Sequence, residues 1–184
     1  MKQNISSEMM TQFRKRITSL FDYLPTRYKA TPREWSVRKY VWAFKGGQYS
    51  EYTAEIVANK IKEIYGAESE KMVFVCIPAS SEEKNELRYK YFAEKVCELT
   101  GAENAYNAVH VEGERLAIHE YRSGKSLRDT EIVTFDKDFF SGKRVLVFDD
   151  IITRGYSYAK FACHLEKLGA VVLGGLFLAK TIIH

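Results

Sequence analysis

Residues 145–157 read VLVFDDIITRGYS and hold the side chains best suited to chemistry. Two adjacent carboxylates, Asp149 and Asp150, directly follow four apolar residues, Val145, Leu146, Val147 and Phe148. After two isoleucines comes a turn that bears hydroxyls and a glycine: Thr153, Arg154, Gly155, Tyr156 and Ser157. A turn that opens a helix presents unpaired backbone N–H groups and a partial positive charge, which favours an anion such as phosphate. Thr153 and Ser157 add hydroxyl donors, and Gly155 permits close backbone approach. Two carboxylates at the end of a strand can accept hydrogen bonds from vicinal hydroxyls. The combination suits a phosphorylated sugar of the ribose 5-phosphate kind.

The elements that position these groups follow from the hydrophobic pattern. The run 145–148 predicts a strand buried on both faces. Tyr158, Phe161, Ala162, Leu165 and Leu168 share one face of the helix behind the turn, and Gly169 closes it. Residues 72–77 predict a second buried strand, ended by Pro78, Ala79, Ser80 and Ser81, with a long helix marked by Leu87, Tyr91, Val96 and Leu99. Residues 171–178 predict the last strand, 108–111 and 131–135 two short ones. Ala54, Val57, Ile61 and Ile64 predict a helix that ends at Gly66. Nearer the start, Phe13, Ile17, Leu20, Phe21 and Leu24 form a stripe at helical spacing. Residues 25–32 read as an irregular connection, and 35–44 fit no single period before Gly46 and Gly47 break them. Lys45, beside that pair, has equal claims as a site cation and as a solvated turn lysine. Strands alternating with helices predict an α/β fold, a parallel sheet with helices on both faces.

A chain of 184 residues is long enough for one domain with a substantial core. Its 46% hydrophobic and 28% charged residues are those of an ordinary globular protein, and only 3 prolines and 11 glycines argue against long linkers. The expectation is a single domain over 1–184, with no membrane span and, for want of an apolar leader, a cytoplasmic location. Cys76, Cys97 and Cys163 lack metal-ligand spacing and are expected as reduced, buried thiols. The four histidines form no metal pair.

The thirteen residues 145–157 resemble the signature of the type I phosphoribosyltransferases, which bind 5-phosphoribosyl 1-pyrophosphate (PRPP). Arg154 stands where many members carry threonine or alanine. A solvated Asp-Asp turn would account for the carboxylates alone, but it leaves residues 153–157 unexplained. The resemblance implies the family's parallel-sheet fold, with residues 1–47 as an N-terminal helical hood and 48–184 as the PRPP-binding core. It implies Asp149 and Asp150 as the catalytic pair, and Thr153, Arg154, Gly155, Tyr156 and Ser157 around the 5-phosphate. Ala79, Ser80, Ser81, Lys84 and Arg88 fall at the pyrophosphate position. Arg115, Arg122 and Lys125 fall in a mobile loop that closes over PRPP, although residues 112–121 read equally well as a charged surface helix. Mg²⁺ is the implied cofactor, held mainly by PRPP and water, with Asp149 and Asp150 as the protein groups nearest to it.

The implied activity is that of a pentosyltransferase, a glycosyltransferase of nucleotide metabolism. It moves the phosphoribosyl group to a nucleobase or related small-molecule acceptor and works as a homodimer. The rival is a PRPP or nucleotide sensor without turnover. Weaker cues point to the ComF-like and amidophosphoribosyltransferase-like branch: Phe44-Lys45-Gly46-Gly47, Cys76-Ile77-Pro78-Ala79-Ser80 and Ser141-Gly142-Lys143-Arg144. The upstream cysteine cluster and the Arg-Gly-Phe-Asn-Gln segment of ComF-like chains are missing, and nothing resembles a glutaminase domain.

Charge adds a third possibility. Residues 1–47 hold ten Lys and Arg against three Asp and Glu, a net +7, while the remainder carries a net −3. The same stretch holds Phe13, Phe21, Tyr23, Tyr28, Trp35, Tyr40, Trp42 and Phe44. Basic, aromatic segments bind single-stranded nucleic acid by phosphate attraction and base stacking. The favoured expectation is the simpler one, that these aromatics pack inside.

Overall fold

The computed structural model describes residues 6–112 and 132–182. The principal sheet has five parallel strands in the order β1-β7-β6-β2-β3. They are β1 (Arg16–Tyr23), β2 (Val73–Cys76), β3 (Glu103–Asn104), β6 (Arg144–Ile152) and β7 (Val171–Thr181). A separate antiparallel ribbon pairs β4 (Val109–Glu112) with β5 (Ile132–Phe135). The helices are α1 (Ser7–Gln12), α2 (Pro32–Lys45), α3 (Ser50–Tyr65), α4 (Glu82–Asn85), α5 (Tyr91–Thr100), α6 (Lys137–Phe140) and α7 (Tyr156–Lys167). The predicted α/β architecture is therefore observed.

Strand β6 shows why the sheet is covered on both sides. Its side chains alternate, so Leu146 and Phe148 enter one core with Phe44, Phe74, Tyr89 and Phe92, under α2, α3 and α5. Val145 and Val147 enter the other with Phe140, Tyr158 and Phe161, under α6 and α7. The first core is a stack of rings in which Phe92 lies 4.8 Å from Phe148 and 5.0 Å from Phe44, centroid to centroid.

Two sequence expectations fail here. Residues 16–23 form an edge strand parallel to β7, not the helix that the stripe 13–24 predicts. The stripe's Ile17, Leu20 and Phe21 are half-buried on the sheet, and β-branched Ile17 and Thr18 with aromatic Phe21 and Tyr23 suit a strand. Gly174 of β7 makes this pairing possible, because a Cβ there would lie 2.2 Å from the Arg16 carbonyl oxygen. Residues 1–47 thus supply a sheet strand as well as α1 and α2. The unassigned stretch 35–44 belongs to α2, which Thr31 and Glu34 start with a reciprocal capping box and Pro32 at its first position.

The second failure concerns the helix after β2. Leu87 and Tyr91, assigned to its buried face, are 58% and 51% exposed. Between α4 and α5 the helix passes through a π turn, Glu86–Lys90, whose extra residue shifts the buried face to Tyr89, Phe92, Ala93, Val96 and Cys97.

Candidate functional site

The strand order contains a switch point between β2 and β6. From β2 the chain moves outward through α5 to β3, whereas from β6 it moves the opposite way through α7 to β7. Strands β2 and β6 are neighbours, so the connections diverge between them. Open α/β sheets bind ligands at such a switch point, outside the carboxyl ends of the strands.

The acid pair lies at this point. The β2–β6 ladder ends at the partners Cys76 and Phe148, with a last bond from the Ile77 N–H to the Phe148 carbonyl at 2.8 Å. Pro78 then offers no donor, and β2 stops. Strand β6 continues through Asp149 to Ile152, paired only with β7. Asp149 is half-buried and Asp150 is 5% exposed.

Three side chains close on these carboxylates. Arg88 donates through Nη1 to Asp150 Oδ2 at 2.5 Å, and the Lys45 ammonium lies 3.3 Å from Asp150 Oδ1. The hydroxyl of Tyr89, wholly buried, donates to Asp149 Oδ1 at 3.1 Å. The Asp150 backbone N–H reaches that same oxygen at 2.8 Å, and Arg88 Nε donates to the Lys45 carbonyl at 3.3 Å. Burial, then the neighbouring Asp150 charge, pushes the Asp149 carboxyl up to about 7. Burial also holds the Tyr89 phenol and the Cys76 thiol well above their ordinary values, so the first remains a donor and the second a thiol. Asp150 is a counter-ion for two cations, and Asp149 is a carboxyl that burial and the adjacent charge make easier to protonate.

The turn 153–157 opens α7 as predicted. Gly155 takes the N-cap position with φ 74°, and no side chain caps the helix, so the N–H groups of its first turn have no side-chain acceptor. Thr153 Oγ1 lies 2.8 Å from Thr181 Oγ1 of β7. Arg154 and Ser157 are exposed and Tyr156 is half-buried. Gly155 is itself buried, and a Cβ on it would meet the Phe13 ring at 2.6 Å. The close neighbour that requires glycine is thus Phe13 of the same chain, along with the left-handed backbone. Phe13 is held there by α1, which lies along α7 through a Gln12 to Glu166 hydrogen bond of 2.5 Å and a Lys15–Glu166 ion pair.

The loop after β2 is more engaged than the sequence suggests. The Ala79 N–H donates to the buried Asn85 Oδ1 at 3.1 Å, and Ser81 caps α4 by accepting from the Lys84 N–H at 3.3 Å. Ser80 is half-buried, and the Lys84 side chain is exposed. The structure therefore brings Arg88 to the acid pair, while Ala79 and Ser81 use the named polar groups in shaping the loop. Arg115, Arg122 and Lys125 lie outside the described residues, flanked by β4 and β5.

Tyr89 beside Asp149 and Phe13 beside Gly155 are neighbours that the sequence does not announce, and Lys45 gains its place beside Asp150 only from the structure. No group of three or more His, Cys, Asp or Glu among the described residues is placed to hold a metal ion. No helix among them is long and apolar enough to cross a membrane.

No family model matches the sequence, and no curated protein matches it. Solved structures do resemble it. An adenine phosphoribosyltransferase from Thermoanaerobacter pseudethanolicus is 20% identical, with a TM-score of 0.39 over 70% of this chain and 78% of its own. A purine phosphoribosyltransferase from Pyrococcus horikoshii is 12% identical, with a TM-score of 0.38 over 90% and 91%. A hypoxanthine-guanine phosphoribosyltransferase from Schistosoma mansoni, in complex with IMP, is 13% identical, with a TM-score of 0.37 over 90% and 85%.

Proposed function

We propose that this protein is a phosphoribosyltransferase that transfers the 5-phosphoribosyl group from PRPP to a nucleobase or related acceptor. The observation that carries it is the coincidence, at the β2–β6 switch point, of the acid pair with the uncapped start of α7. The N–H groups of that first turn, with the Ser157 hydroxyl, would hold the 5-phosphate. Asp149 would accept from a ribose hydroxyl, with Tyr89 fixing its orientation. Asp150 would hold Lys45 and Arg88, whose positive charges suit a diphosphate leaving group. In the reaction the acceptor nitrogen's lone pair forms a bond to ribose C1, the C1–O bond breaks with its electrons leaving on pyrophosphate, and the acceptor's N–H proton passes to water. Positioning and charge stabilisation are the main tools for such a step.

Two carboxylates, one of them already paired with cations, do not make an all-protein magnesium site. Asp149 is the residue that would contribute to Mg²⁺ held otherwise by PRPP oxygens and water, where the ion would shield diphosphate charge. The kinship with the ComF-like branch rests on the sequence cues alone.

The sensor reading keeps one specific support: Asp150 is occupied by Lys45 and Arg88, so one of the two carboxylates is less available to a ribose. Incubation of the protein with PRPP, Mg²⁺ and a panel of purines, pyrimidines and related acceptors separates the two. Release of pyrophosphate that depends on one acceptor and is lost in Asp149→Asn supports the transferase. PRPP binding by calorimetry without release across the panel would establish the sensor, and no binding at millimolar PRPP would remove both.

A further inference from the structure

The aromatic residues of the basic segment divide into two groups in the structure. Phe44 is fully buried, Phe21, Tyr23 and Tyr40 are half-buried, and Phe13 covers Gly155. Trp35 and Trp42 are instead 42% and 43% exposed, the largest side chains in the protein to be so. They stand seven residues apart on α2, on one face, with exposed Lys39 between them. Their rings meet edge to face, with centroids 6.1 Å apart.

Both indoles are fixed from beneath. The Arg38 guanidinium lies 4.9 Å from the Trp35 ring. Arg38 is 1% exposed and donates to the carbonyls of Leu24, Pro25 and Tyr28 at 2.7, 2.6 and 2.9 Å. Trp42 donates through Nε1 to the Tyr23 hydroxyl at 3.1 Å. The protein thus holds two large apolar rings rigid and leaves much of each in water, where exposure is costly.

The surrounding charge is positive. Lys39 shares the stripe, and exposed Arg27 and Lys29 lie in the turn whose carbonyls hold Arg38. Lys45, three residues after Trp42, is paired with Asp150 and belongs to the other site. Glu34, the one acidic residue of α2, is drawn into the capping box with Thr31. Asp22 alternates away from its neighbours Phe21 and Tyr23, which touch Tyr40 and Trp42 of α2.

We infer that the Trp35–Lys39–Trp42 face of α2 binds single-stranded nucleic acid, with bases against the indoles and phosphates at Lys39 and the flanking cations. Pre-fixed aromatic rings reduce the ordering cost of binding, and stacking tolerates any base. A duplex keeps its bases stacked on one another, so it lacks the free faces that this surface uses. The inference stands whether or not the acid-pair site transfers a phosphoribosyl group.

Trp35 and Trp42 are the protein's only tryptophans, so emission excited at the red edge of the absorption band, where the 12 tyrosines do not absorb, reports this surface. Titration with oligothymidylate and oligouridylate of about 12 nucleotides, a length within the known site sizes, should quench that emission. Binding should weaken with salt, with a log–log slope of about −1.4 for about two phosphates neutralised. Trp42→Ala should weaken binding at least about fivefold, as loss of one stacked base does. Lys39→Glu, on an exposed position that leaves folding intact, should weaken it further as salt is lowered. A GC-rich duplex of equal length should leave the emission unchanged. Failure of both oligonucleotides to quench, equal quenching by duplex, or full affinity in Lys39→Glu would overturn the inference. So would emission that changes on dilution of protein alone with a dimer seen by sedimentation, since the face would then belong to a second copy.

Discussion

Replacing Asp150 by Asn tests whether this carboxylate is the anchor of a cation pair. The Asp150 side chain is 7% exposed, against 15% for Arg88 and 37% for Lys45. Removing one partner from a fully buried pair costs about 3–5 kcal/mol, because the remaining charge stays desolvated. Lys45 can turn to water and relieve its share, and Asn keeps an acceptor for Arg88, so a loss of about 2–3 kcal/mol is expected for Asp150→Asn. At roughly 2–4 °C per kcal/mol for a chain of this size, the Tm should fall by about 4–12 °C. The assay is urea denaturation of Asp150→Asn, Arg88→Met and the double variant, with unchanged m-values required for the comparison. The single losses should exceed the double loss, with a coupling of about 1.5–3 kcal/mol, while the same cycle with Lys45→Met should couple by under about 1 kcal/mol. An Arg88 cycle that is additive within about 0.5 kcal/mol would refute the idea that Asp150 serves Arg88.

Asp149 gives a pH signature: its carboxyl titrates near 7 in the folded protein, above the ordinary value near 3.9, so the native state binds the extra proton between these limits. Stability should therefore fall as pH rises from about 4 to about 7 and flatten above, and Asp149→Asn should remove that component of the slope in denaturation curves. PRPP affinity should rise through the same window, as the ionised carboxylate becomes the better acceptor, and calorimetry at pH 5.5 and 8 checks this. Gly155→Ala should destabilise the fold by about 1–2 kcal/mol from its left-handed backbone alone, and by more from overlap with Phe13. Phe13→Ala in that background should recover the overlap part, and no recovery in urea denaturation would show that Phe13 already moves aside.

Strands β2, β6 and β7 were legible because continuous β-branched and apolar runs have few other uses, and helix α7 because its stripe runs unbroken from Tyr158 to Leu165. The placement of Asp149 and Asp150 in β6 and of the turn 153–157 before α7 was legible because both follow from local strand–turn–helix order. Strand β1 was not, since Phe13, Ile17, Leu20 and Phe21 fit a helical period while the deciding partner, Gly174, lies more than 150 residues away. Tyr89 was hidden for a related reason. A period of 3.6 assigns Leu87 and Tyr91 to the core, and nothing in the residues themselves announces a π turn. Lys45 could be weighed but not placed, because its partner Asp150 is joined to it only through the packing of α2 on the sheet.

The π turn at Glu86–Lys90 carries a consequence for the gene as well as for the site. It sets the rotational phase between two stretches of one helix. The Asn85 end is fixed by the Ala79 N–H and the Ser81 cap, and the Phe92 end by rings of the core. Loss of one codon within 86–90 would allow a regular helix, better bonded locally. It would also turn one stretch by about 100° against the other, since each residue advances an α-helix by that angle. Either Arg88 and Tyr89 would leave the carboxylates or Phe92 would leave the core. A substitution at exposed Leu87 can be absorbed by that side chain alone, whereas a change in the length of the stretch moves every contact beyond it, so its residue count is the stricter inheritance.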